Sequence, residues 1–111
     1  MTKTDKQVLK KILSELTQID EFIDGMSFDD FVNDEKTRRS VAYTLLNIGE
    51  KSKLLSENFV ESTNWFPAKQ IKATRNVAAH EYDVLRFDYI WAAVQTDFVE
   101  LKSNIEKLIA D

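Results

Sequence analysis

The sequence predicts an all-α protein: one domain over residues 1–111, an antiparallel helical bundle of four main helices plus one short helix. Three observations lead there. In the long segments apolar residues recur at steps of three and four, the spacing that lines one face of a helix. Only two glycines and one proline punctuate 111 residues, too few for a many-turned β-fold. No run of β-branched residues alternates with period two.

The first helix follows from Val8, Ile12, Leu16, Ile19 and Ile23, with Thr4 and Gln7 forming a capping box at its start. Gly25 stops it. In "SFDDFVND" Ser27 caps a short helical turn whose Phe28 and Phe31 share an inward face. Asp34 then caps a long helix with the stripe Val41, Leu45, Ile48, Ser52 and Leu55. Gly49 inside that helix costs about 1 kcal/mol relative to alanine, so it implies close approach of another backbone. "SENFVESTNWF" has turn formers and no clean period, and is expected to be mostly loop. Pro67 pre-sets the first turn of the next helix, "AKQIKATRNVAAH". A last helix runs from about Arg86 to Ala110, with Ile90, Val94, Phe98, Leu101, Ile105 and Leu108 inward.

Bulk properties narrow the function classes. Hydrophobic content of 43% and charged content of 31% fit a globular chain with one core. There is no cysteine, which excludes disulfides, thiolate metal sites and cysteine nucleophiles. With one histidine and scattered acids, no metal cluster is expected. The start, "MTKTDKQVLKK", lacks the apolar core of a signal peptide, and no stretch approaches the roughly 20 apolar residues of a membrane span. A cytoplasmic protein without a membrane partner is expected. A net charge of −4 argues against a general nucleic-acid coat protein but leaves room for a small basic patch.

Such a patch surrounds the single histidine in "RNVAAHEYD". At about 100° per residue, Lys72, Asn76 and His80 all fall within roughly 60° of Lys69, while Ile71, Thr74 and Ala78 project to the other side. Arg75 lies about 140° round from His80, with a rise of about 7.5 Å between them. For both to act on one group, Arg75 must reach round, the helix must end or distort near His80, or two chains must share a cleft. The plainer roles are equally concrete. His80 would satisfy helix-terminal carbonyls, Arg75 would pair with Glu50 of the preceding long helix, and Tyr82 would be a part-buried aromatic. The chemical role uses the same groups: imidazole exchanges protons near neutral pH, and a guanidinium stabilises charge building on phosphate oxygens.

"RNVAAHEY" resembles the R-x4-H-x-Y pattern of the HEPN superfamily, in its HepT-like toxin branch. The resemblance extends through "GMSFDDFVNDEKTRRSVAYTLLNIGEKSKLLSE", "FPAKQIKATRN" and "DYIWAAVQTDFVELKSNIEKL", nearly the whole chain. It implies a helical bundle that forms a homodimer, and a metal-independent RNase toxin with Arg75 and His80 catalytic and Asn76 in support. Lys69 and Lys72 would then contact RNA. The implied partner is a nucleotidyltransferase antitoxin that uses ATP and magnesium to add AMP to Tyr82; the RNase itself needs no cofactor. Two positions depart from the pattern: Ala73 stands near a common glycine, and Glu81 places an acid between His80 and Tyr82. Related bundles also serve as non-catalytic substrate-binding subunits of two-component nucleotidyltransferases, the alternative expectation. A helical adaptor or dimerisation module is a third.

Overall fold

A computed structural model describes residues 1–80 and 86–110. Among these the chain is all-α, with seven helices in a bundle: α1 Lys3–Ile23, α2 Phe28–Asn33, α3 Glu35–Ser52, α4 Glu57–Ser62, α5 Ala68–His80, α6 Phe87–Gln95 and α7 Asp97–Ala110. Helix α3 packs against both α1 and α5, and α1 also packs against α7. The predicted stripes form the centre: Ile12, Val41, Ile48, Ile90 and Ile105 are fully buried, and Leu45, Phe98 and Leu101 nearly so, with Leu9, outside the predicted stripe, fully buried beside them. No described helix is long and apolar enough to cross a membrane.

Helix starts follow side-chain caps. Ser27 accepts from the Asp30 N–H and Asp34 from the Thr37 N–H, both as expected from residue type. Gly25 adopts φ 73°, the left-handed conformation that ends α1 without steric cost. The cap of α1 is two residues earlier than expected. Thr2 Oγ1 accepts from the Asp5 N–H at 2.9 Å and Asp5 accepts from the Thr2 N–H at 3.2 Å, displacing the Thr4–Gln7 box. Asp5 is only 1% exposed and also accepts from the Ser56 N–H at 2.8 Å and the Ser56 hydroxyl at 2.7 Å. Burial opposes ionisation of this carboxyl, but the hydrogen bonds from Ser56 and then Thr2 outweigh it and hold its pKa below the ordinary aspartate value.

Four further expectations are corrected. The stretch read as loop contains α4, whose cap, Ser56, accepts from the Phe59 N–H at 3.1 Å while its own polar groups are held by Asp5. Phe59 is buried and meets Trp65 and Phe66 edge-on. The single last helix is two, broken at Thr96 (φ −122°, ψ −77°). The Thr96 hydroxyl donates to the Ala92 carbonyl at 2.8 Å, a back-bond that competes with the regular ladder. Phe28 is 38% exposed, leaning on Trp91 with ring centroids 6.2 Å apart, so only Phe31 of the pair is interior. Leu55 is buried, as the stripe requires, but stands beyond the end of α3.

Candidate functional site

Helix α5 carries the basic stripe. Pro67 accepts the Ile71 N–H at 2.9 Å, closing the first turn. Ile71, Thr74, Val77 and Ala78 are buried against the bundle, so helical geometry leaves Lys69, Lys72, Asn76 and His80 exposed on the opposite side, as the spacing predicts. His80 is the last described residue of α5. Glu81 and Tyr82 lie outside the described residues.

Arg75 sits between the two faces, its side chain 28% exposed. It crosses onto α3. An alanine-like Cβ on Gly49 would meet Arg75 Cγ at 2.5 Å and Cβ at 2.8 Å, so the missing side chain makes room for the arginine stem. The expected close approach at Gly49 is real, but what approaches is a side chain of α5, not its backbone. Beyond the stem, Nη2 donates to Glu50 Oε1 at 3.1 Å and Nη1 donates to Asn76 Oδ1 at 3.2 Å. Nε is buried without an acceptor. The pairing with Glu50 named from sequence is therefore present. The bond to Asn76 meanwhile draws the guanidinium toward the stripe that ends at His80.

Glu50 holds a second cation: Lys53 Nζ donates to Oε1 and Oε2 at 3.3 and 3.4 Å. Lys53 and then Arg75 lower the Glu50 pKa, so the carboxylate stays ionised at neutral pH. Beside these groups α3 and α5 enclose a groove of about 350 Å³, floored by Gly49 and Ala68 and rimmed by Lys53, Lys72, Arg75 and Asn76. Three cations against one carboxylate make its rim electropositive on a chain of net charge −4. The groove brings Lys72, Arg75 and Asn76 together. It does not include Lys69, which borders a separate depression beside Phe66 and Pro67, nor His80 at the end of the helix. Sequence reasoning missed Lys53, which follows directly on α3 and whose place at the rim depends on how α3 and α5 meet. Among the described residues no group of three or more His, Asp or Glu side chains is placed to hold a metal ion.

A family model described as "Ribonuclease HepT-like" matches residues 12–108. The chain belongs to the HepT-like ribonuclease family. Its relatives include a protein of Caldanaerobacter subterraneus subsp. tengcongensis, named as a candidate RNase, 32% identical over 107 residues and 96% of both chains. Another, from Methanocaldococcus jannaschii and similarly named, is 32% identical over 112 residues, all of this chain and 93% of its own. A third, "Probable ribonuclease HepT" of Thermococcus cleftensis, is 31% identical over 108 residues, 97% of this chain and 98% of its own. No solved structure matches significantly. The HepT-like match covers the groove, Arg75 and His80 together.

Proposed function

We propose that this HepT-like protein is a metal-independent endoribonuclease acting as the toxin of a toxin–antitoxin pair. The observation that carries the reading is the Arg75 guanidinium, held at the wall of a cationic groove on the same helix that presents His80 to solvent. RNA would lie along the stripe, with Lys72 and Lys69 on its phosphates. An imidazole takes the ribose 2′-hydroxyl proton, the 2′-oxygen bonds to phosphorus, and the bond to the 5′-oxygen breaks as that oxygen is protonated. Arg75 stabilises the charge on the non-bridging oxygens. Each chain has one histidine, so a homodimer supplies one imidazole for each proton transfer. Tyr82 follows His80 by two residues. AMP added there by a nucleotidyltransferase antitoxin, from ATP with magnesium, would put bulk and a negative phosphate beside the histidine and repel RNA.

The test is RNA cleavage in EDTA by protein purified without its partner. Wild type should cleave, and His80→Ala and Arg75→Ala should each lose the activity. Cleavage by both variants at the wild-type rate would remove these residues from the chemistry. One observation favours the alternative, a non-catalytic substrate-binding subunit: Arg75 already has a carboxylate partner. Growth arrest on expression alone, relieved by the nucleotidyltransferase, separates the toxin from that alternative.

A further inference from the structure

We infer that Glu50 is a positioning residue: with the gap at Gly49, it aims the Arg75 guanidinium into the groove. The inference rests on the ribonuclease reading for its purpose, though not for its geometry.

An arginine side chain has four rotatable bonds, and ordering it costs rotamer entropy. Three contacts restrict this one. The stem lies in the space left by Gly49. Nη2 is tied to Glu50 Oε1 across the helix pair, and Nη1 to Asn76 on its own helix. Two opposed ties on one planar group orient its plane, which neither does alone. A purely stabilising role is a poor account of the same pair. Glu50 is 55% exposed, and solvent-exposed ion pairs contribute little because water and salt screen them. Its acceptor also serves Lys53, so the carboxylate sets two rim cations at once. Each Nη keeps one N–H beyond its tie, so the guanidinium retains donors for a phosphate. Placement of a charge-stabilising group to within about 1 Å decides rates by up to 10²-fold.

The experiment compares wild type, Glu50→Ala, Glu50→Gln and Arg75→Lys by two readouts. The first is the Arg75 Nε–H resonance in ¹⁵N NMR, assigned by its loss in Arg75→Lys, and its exchange with solvent. The second is kcat and KM on a labelled oligoribonucleotide. Glu50→Ala is expected to shift the resonance, speed its exchange, and lower kcat about tenfold with KM changed far less. Glu50→Gln, which keeps an acceptor but no charge, should fall between. An unchanged resonance and exchange rate in Glu50→Ala overturns the inference whatever the activity. So does an unchanged kcat in a variant of an active wild type. A shifted resonance in a protein whose wild type cuts no RNA supports the positioning and overturns the ribonuclease reading instead.

Discussion

Gly49→Ala adds one methyl group at a place where two opposing effects can be weighed. In an open helix interior the substitution stabilises by about 1 kcal/mol, because glycine gives up more backbone freedom on folding. Here the new carbon would lie 2.5 Å from Arg75 Cγ and 2.8 Å from Arg75 Cβ. Comfortable carbon–carbon contact is about 3.5–4.0 Å, so separations must grow by about 1 Å. A rotamer change could move Cγ. It cannot move Cβ, which is carried by the α5 backbone, so α3 and α5 must part or turn. Overpacking of this kind costs about 1–3 kcal/mol. The net expectation is a loss of up to about 2 kcal/mol, measurable as a lowered urea midpoint, together with at least a tenfold fall in RNA cleavage as Arg75 is displaced. Adding Arg75→Ala to Gly49→Ala removes the Cγ contact, so the double variant should lose less stability than the two single losses summed. A Gly49→Ala protein that is about 1 kcal/mol more stable and cleaves RNA normally would show that the α3–α5 contact is loose, refuting the reasoning.

Asp5→Ala leaves the Ser56 N–H and hydroxyl without their acceptor and removes the Asp5 half of the α1 capping box, and should cost about 3 kcal/mol in denaturant unfolding. Because the folded Asp5 pKa is depressed, its ionised form contributes stability that is present above about pH 4 and lost as pH falls through the folded value. Asp5→Asn should flatten that acid limb in thermal melts between about pH 5 and 2; a melt series parallel to wild type would contradict it. Lys72→Ala and Lys69→Ala should each weaken RNA binding across sequences and reduce the slope of log affinity against log salt by about one, and an unaltered slope would take that lysine off the RNA path. Tyr82→Phe should block AMP addition by the partner while sparing cleavage, and mass mapping that finds AMP only on Tyr43 or Tyr89 would refute the assignment.

How legible each element was depends on whether its cause is local. The stripe Val8 to Ile23, the Ser27 and Asp34 caps and the turn at Gly25 are set by neighbours within four residues, and all could be read. The break at Thr96 could not. The buried positions Val94, Phe98 and Leu101 continue in step across it, so hydrophobic spacing carries no trace of a hydroxyl bonding back to Ala92. Helix α4 was hidden for another reason. It has six residues and one buried side chain, and the carboxylate that braces its cap is 51 residues away. The site divides the same way. Exposure of Lys69, Lys72, Asn76 and His80 follows from helix geometry alone. The Glu50 partner of Arg75 could be named, but the stem's passage over Gly49 and the place of Lys53 depend on how two helices meet.

That passage bears on anyone wishing to transplant the proposed chemistry. Writing an arginine and a histidine five places apart onto a convenient designed scaffold would copy the lettering but leave the guanidinium swinging in water. The receiving scaffold would also need a notch and a carboxylate on the adjoining rod, at matching height, so the smallest unit that carries the arginine's placement is a pair of helices rather than a motif.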